Sequence, residues 1–333
     1  MVAAAYPGAG VRDQASWPLV ALLSCAVPWL GARPVRANGP AATVIVVIGA
    51  PGAPEYQPAF VEAARGFGHA AKTGGLRLVE VGVSTGGASD RDRLRELLAR
   101  EVSSGATPLW LVLVGHGTFD GRDAKLNLRG PDVSSKDLAA WLQPIKRPVV
   151  VINTASASGP FIAHLTGPDR IIVTATRSGR EQNATRLPRL LAAAIVDATA
   201  DLDKDGQTSL LEAWLAASGR VRASFEEEGL LATEHALLDD NGDGKGTQAT
   251  FFEGLRPAKK PQGDTSLDGA RAHQIHLVPS PAERSLSPEL LRRRDELEQK
   301  VARLRAQRDT LAADEYYRRL EPLALELARL YQR

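Results

Sequence analysis

The chain has 333 residues, of which 44% are hydrophobic but only 5% aromatic, so it has room for one large domain with an aliphatic core and an appendage. A net charge of +2 excludes the electrostatic footprint of a nucleic-acid or anionic-surface binder, and no nucleic-acid partner is expected. A single cysteine, Cys25, excludes a disulfide framework within the chain.

Residues 17–30 (WPLVALLSCAVPWL) are apolar, but too short and too broken by Pro18 and Pro28 to span a bilayer. The run that follows ends in a small-residue cleavage pattern at Ala37. Residues 1–37 are thus similar to a secretory signal, which implies a secreted or periplasmic protein. Removal after Ala37 leaves no cysteine and no membrane span. Leu22-Leu23-Ser24-Cys25 faintly resembles a lipoprotein box, but Leu and Ser are poor residues to precede that cysteine.

Residues 43–49 (TVIVVIG) form a β-branched run of the kind buried on both faces of a sheet. Residues 57–72 carry Phe60, Ala64, Phe67 and Ala71 at helical spacing, and Gly74-Gly75 stops them. A second strand is expected over 76–83 and an amphipathic helix over 90–102. A third strand is expected over 108–114, ending in Gly115-His116-Gly117. Ser134 opens the next helix, with Asp137 as its capping-box partner. The fourth strand, 149–153, stops in Thr154-Ala155-Ser156-Ala157-Ser158-Gly159, and a fifth covers 170–176. Strands and helices alternating at this length predict a mostly parallel sheet with helices on both faces. In such a sheet, His116, Ser156 and the loop Arg177–Asn183 all lie past carboxyl ends of strands, where ligands collect.

A helical stretch over 185–200 runs into Asp201-Leu-Asp203-Lys-Asp205-Gly206-Gln207-Thr-Ser209-Leu-Leu-Glu212. This matches the EF-hand-type pattern D-x-D-x-D-G-x5-E. Asp201, Asp203 and Asp205 supply carboxylates, Gln207 a main-chain carbonyl, Ser209 a direct or water-bridged oxygen, and Glu212 two oxygens. Such a set suits a hard cation, and Ca²⁺ is the expected cofactor. A weaker copy is Asp239-Asp240-Asn241-Gly242-Asp243-Gly244, with Asp239, Asn241 and Asp243 as candidate ligands. Its twelfth position is Thr250, which offers no carboxylate, so a tight acidic turn is the competing reading. Residues 201–253 are taken as a calcium-binding region, and 254–286, with Pro257, Pro261, Pro279 and Pro281, as a linker. Ser287-Pro288-Glu289 starts a helix with Leu290, Leu297, Leu304 and Leu311 seven apart, although Arg294 and Arg308 interrupt the seam. A helical hairpin or short coiled coil over 287–333 is expected, open to self-association.

Gly115-His116-Gly117 and Ala155-Ser156-Ala157-Ser158-Gly159, forty residues apart in β-α-β order, resemble the caspase–legumain clan of cysteine peptidases over about residues 40–200. The resemblance implies a three-layer α/β/α domain, with His116 in the place of the catalytic histidine and Ser156 in that of the nucleophilic cysteine. It also implies that the loop bearing Arg177, Arg180 and Glu181 shapes the substrate pocket. The departure is the serine, whose hydroxyl lacks the low pKa of a thiol and needs a base held by a third group. Three readings stay open. One is an exported calcium-binding relative, inactive as a peptidase, whose cleft binds a peptide or protein or serves as a structural module. The second is an active peptidase with Ser156 as nucleophile and His116 as base. The third is a calcium-dependent scaffold acting through the C-terminal helices.

Overall fold

Runs of alternating Val, Ile and Leu dictate the centre of the molecule. The computed structural model describes residues 42–83, 88–102, 107–258 and 268–331. The leader over 1–37, with Cys25 and the Ala37 cleavage pattern, lies outside the described residues. Strand β1 (Thr43–Ile48) is buried throughout, as are β3 (Leu109–Val114) and β7 (Val149–Asn153). They pair in parallel with one another, with β2 (Arg77–Val81) on one side and β8 (Arg170–Thr174) on the other. Because successive side chains point to opposite faces, one apolar run feeds two cores. Val44, Val46, Trp110, Val112, Val150 and Ile152 face one layer, which contains α1 (Gln57–Thr73), α5 (Leu187–Ala194) and α6 (Leu210–Glu227). Ile45, Val47, Leu109, Leu111, Leu113 and Val151 face the other, which contains α2 (Asp90–Arg100), α3 (Ser135–Leu142) and α4 (Phe161–Leu165). The expected α/β/α architecture with a mostly parallel sheet is therefore present.

Local signals act where the chemistry requires. Ser134 caps α3 in a full capping box with Asp137, and Ser89 caps α2 by accepting the Asp92 amide. The stretch expected to be helical over 185–200 splits into α5 and a 3₁₀ turn, Ala198–Ala200, before the acidic loop. After His116, a small antiparallel sheet forms from β4 (Gly117–Phe119), β5 (Ala124–Leu126) and β6 (Val133–Ser134), which no sequence period announced.

Two boundaries differ from expectation. The stretch 201–253 is not separate from the sheet. β9 (Leu237–Asp239) pairs antiparallel with β8, and β10 (Thr247–Gln248) with β9, so the weaker acidic loop is a hairpin at the sheet edge. Among the described residues the main sheet thus runs β10-β9-β8-β7-β3-β1-β2. The expected linker also does not span open space where it is described. Asp268, Ala272 and Leu277 are buried, and α7 (Pro281–Ser285) follows. The segment lacks a period because side-chain-to-backbone hydrogen bonds, rather than regular elements, hold it: Asp240 accepts the amides of Gly269, Arg271 and Ala272, each at 2.8 Å. A C-terminal helical pair follows, α8 (Pro288–Ala306) and α9 (Ala313–Tyr331), with Ser287 capping α8. Among the described residues no helix is long and apolar enough to cross a membrane.

Candidate functional site

The parallel strands bring His116 and Ser156 to one edge, as their positions past β3 and β7 require. The contact that joins them runs through Gly117. The buried Ser156 hydroxyl accepts the Gly117 N–H at 3.0 Å and donates to the Gly117 carbonyl at 3.3 Å. A Cβ at position 117 would lie 2.2 Å from the Ser156 carbonyl oxygen, so only glycine admits this approach. The His116 ring packs edge-on against Tyr56 and Phe60, with centroids at 4.5 and 5.0 Å. Burial lowers its pKa, against a raising hydrogen bond to the Pro51 carbonyl, so the imidazole is neutral at pH 7. Neither carboxylate close in sequence backs it. Asp120 accepts the amides of Arg122 and Asp123, and Asp123 pairs with Lys136 at 2.5 Å. Nor, among the described residues, does a hydrogen bond join the ring to Ser156. Ser158, fully buried, accepts the amides of Ala175 and Thr176 and so pins this turn to the end of β8.

The Arg177–Asn183 loop divides by role. Arg177 and Arg180 line a pocket of about 390 Å³ with Phe119, Pro160, Ile162 and Leu237. Glu181, expected beside them, turns away from it. Its carboxylate accepts the Arg177 amide at 3.0 Å and meets His235 Nδ1 at 2.6 Å, while its carbonyl accepts the Ala157 amide at 2.7 Å. It braces the loop against the serine turn rather than lining the pocket.

Residues 201–212 wrap on themselves. Asp201 accepts the Lys204 amide at 2.7 Å and the Gly206 amide at 3.1 Å. Asp203 accepts the Asp205 amide at 3.3 Å, and Asp205 the Gln207 amide at 3.0 Å. Gly206, at φ 89°, makes the turn. Ser209 and Glu212 form a capping box at the start of α6. The Glu212 carboxylate, almost fully buried, reaches back to the Leu202 amide at 2.7 Å and the Ser209 hydroxyl at 2.8 Å. Carboxylate oxygens of Asp201, Asp203 and Asp205 all lie within 4.8 Å of one another, and those of Asp203 and Glu212 do so together with a His273 ring nitrogen. Mutual repulsion of carboxylates this close is relieved by a cation. The oxygen donors of Asp201, Asp203, Asp205 and Glu212, without the His273 nitrogen, are of the kind that suits Ca²⁺.

The weaker loop repeats this hydrogen-bond scheme position by position. Asp239 accepts the amides of Gly242 and Gly244 at 3.1 and 3.0 Å. Asn241 accepts that of Asp243 at 2.8 Å, and Asp243 that of Lys245 at 2.9 Å. The twelfth position holds Thr250, which has no carboxylate, and Asp268 makes the corresponding hydrogen bonds instead. Asp268 accepts the amides of Asp240 and Asn241 at 2.9 and 3.2 Å and bonds the Thr247 hydroxyl. Those are loop positions two, three and nine, and at the same positions Glu212 bonds Leu202, Asp203 and Ser209 in the first loop. Burial, with the Asp240 and Asp239 carboxylates nearby, pushes the Asp268 carboxyl up to about 7. Sequence reasoning missed Asp268. Its only signal was an aspartate in an aperiodic stretch, and nothing in spacing links it to a loop nearly thirty residues earlier.

The first loop is joined to the C-terminal helices. Asp203 Oδ2 lies 3.0 Å from His273 Nε2. The Gln207 side chain accepts the Ser280 amide at 2.8 Å and donates to Glu283 at 2.7 Å. Glu283 also receives the buried Arg294 of α8 at 2.9 Å. Burial alone would raise the Glu283 carboxyl, but His276, Arg294 and Gln207 hold it at about 2. Gln274 donates to the Asp295 carbonyl at 2.8 Å.

No protein-family model matches the chain, and no curated protein sequence does. Among solved structures, it is similar to a Geobacter sulfurreducens protein determined as a structural-genomics target, with a TM-score of 0.41 and 9% identity over 60% of this chain and 92% of that one. It is also similar to the Drosophila initiator caspase Dronc, with a TM-score of 0.40 and 12% identity over 62% of this chain and 81% of that one.

Proposed function

We propose that this is an exported calcium-binding protein in which a caspase-like α/β/α domain serves as a non-catalytic scaffold and Ca²⁺ fastens its C-terminal part. Export rests on the leader pattern alone. The observation that carries the calcium reading is the convergence of the Asp201, Asp203 and Asp205 carboxylates, with the buried Glu212 closing the loop. One ion would be held by these four residues, the Gln207 carbonyl and Ser209. A second would be held by Asp239, Asn241, Asp243 and Asp268. Calcium would supply charge neutralisation in both loops, and in the second it would also cross-link Asp268 to a loop nearly thirty residues earlier.

The inactive reading is supported by the Ser156 hydroxyl. A nucleophilic serine hands its proton to a base, and this one directs it to the Gly117 carbonyl. Its acceptor role is taken by the Gly117 N–H, and the neutral His116 has no carboxylate behind it among the described residues. The edge fits a peptide or protein ligand held by the pocket beside Arg177 and Arg180.

Calorimetric titration of Ca²⁺ into chelator-stripped full chain tests this. Two ions per chain are expected, with Glu212→Gln removing one and Asp268→Asn the other. Absence of saturable heat, or unchanged stoichiometry in both variants, overturns the calcium reading. Cleavage of a diverse peptide library by the wild type that is lost in Ser156→Ala overturns the non-catalytic one.

A further inference from the structure

The first acidic loop meets a donor that its own sequence does not contain. His273 lies in a 3₁₀ turn, Ala272–Gln274, seventy residues after Asp203, and its Nε2 is 3.0 Å from Asp203 Oδ2. That nitrogen and one carboxylate oxygen each from Asp203 and Glu212 lie within 4.8 Å of one another. The three donors come from three places in the fold: the loop itself, the first turn of α6 and the 3₁₀ turn. The main chain around His273 is anchored on both sides. Asp240 accepts the amides of Arg271 and Ala272, the His273 amide donates to the Gly269 carbonyl at 2.9 Å, and the Gln274 side chain donates to the Asp295 carbonyl. The imidazole is therefore presented by backbone that is already ordered, and an ion has little left to organise. Glu212 is almost fully buried, whereas the Asp203 and His273 side chains are 35% and 37% exposed, which leaves an entrance from solvent.

The loop thus offers two overlapping sets of donors. The set read above for Ca²⁺ presents oxygen alone. Asp203, Glu212 and His273 present carboxylate oxygens and an imidazole nitrogen. Ca²⁺ takes oxygen ligands, but imidazole is a preferred ligand of Zn²⁺. Two carboxylates and one histidine make a three-ligand site of the kind Zn²⁺ accepts, with water completing the shell.

We infer that Asp203, Glu212 and His273 form a Zn²⁺ site at the first acidic loop. Asp203 and Glu212 belong to both sets, so Zn²⁺ and Ca²⁺ compete there. The inference rests on the reading of residues 201–212 as a cation loop, but each ion has ligands of its own, Asp201 for Ca²⁺ and His273 for Zn²⁺. Zn²⁺ would also tie the loop to the segment that leads into α7 and α8.

Isothermal titration of the chelator-stripped, dialysed full chain with zinc chloride and, separately, with calcium chloride tests this. A saturable Zn²⁺ site is expected, weakened when Ca²⁺ is already bound. His273→Gln should weaken it at least tenfold and leave the Ca²⁺ count unchanged. Asp201→Asn should do the reverse, removing one Ca²⁺ and leaving Zn²⁺ affinity as it was. His69→Gln, which alters an exposed histidine on α1, should change neither. Wild-type Zn²⁺ affinity in His273→Gln overturns the inference and means that His273 only pairs with Asp203. No saturable Zn²⁺ heat overturns it too, as does an equal loss in His69→Gln or a Zn²⁺ affinity that bound Ca²⁺ leaves unmoved. A Zn²⁺ site lost in His273→Gln, in a chain that takes up no Ca²⁺, upholds this inference and sinks the calcium reading alone.

Discussion

Ser156 commits both its acceptor and its proton to one neighbour, Gly117, and so ties the end of β7 to the start of β4. Removing the hydroxyl leaves the Gly117 amide without its partner in a buried place. Ser156→Ala should therefore cost about 1–2 kcal/mol of unfolding free energy, measured by urea denaturation, with no change in any hydrolytic background. Glu234 makes a different prediction. Burial pushes its carboxyl up to about 7, although the amides of Arg186 and Leu187 and the Arg186 charge pull it down. It caps the start of α5 from a distance, accepting those amides at 2.7 and 2.9 Å. The folded state thus holds this proton more tightly than the unfolded chain does. Its share of stability is complete below about pH 4.5 and is lost as the pH rises through about 7, amounting to about 3 kcal/mol at most. Denaturation curves between pH 5 and 7 should show a shallower fall in Glu234→Gln than in wild type. An equal slope would show that Glu234 does not titrate in that window. The His-Gly and Ser-x-Ser-Gly residues were legible from their strand-end setting, but the partner of the serine was not, because hydrogen-bond geometry is absent from spacing.

At the scale of elements, the buried network around Arg294 explains how α8 docks. In the heptad reading this arginine interrupts the apolar seam. In space it is only 5% exposed and joins α8 to Glu283, which in turn meets Gln207 of the acidic loop. Removing one partner of a buried ion pair strands the other, at about 3–5 kcal/mol. Arg294→Met should release α8 and α9, seen as lost amide-exchange protection there while β1, β3 and β7 keep theirs. Gln207→Ala should give a smaller version of the same loss. Retained protection in both variants would mean that the helices dock independently of the loop. Helix positions were legible here from Ser287-Pro288 and the leucine spacing. The docking face was not, because a charged residue reads as solvent-facing until its counter-ion, eleven residues earlier, is known to be folded against it.

Over the whole molecule, the two acidic loops share one scheme but close it differently, by Glu212 within the loop and by Asp268 from the far side of the expected linker. Calcium should therefore stabilise the fold and not only decorate it. At a hundredfold excess over its dissociation constant, each ion so bound would contribute about 2.7 kcal/mol. Adding chelator to calcium-saturated protein should lower Tm, and Asp268→Asn should remove part of that drop while Asp268 remains distant in sequence from the loop it closes. A chelator-insensitive Tm would separate the loops from stability. By itself, the sequence determined the parallel sheet and its two helical layers, since long β-branched runs are stable only when buried on both faces and their alternation with amphipathic helices permits one arrangement. It determined the first acidic loop as well, because all six candidate ligand positions lie within twelve consecutive residues. Tertiary structure alone decided the edge strands β9 and β10, the Asp268 closure, the brace at Glu181 and the meeting of His273 with Asp203. Each of these joins residues with no common period, and their partnership comes from burial, which brings distant polar groups together and obliges them to satisfy one another.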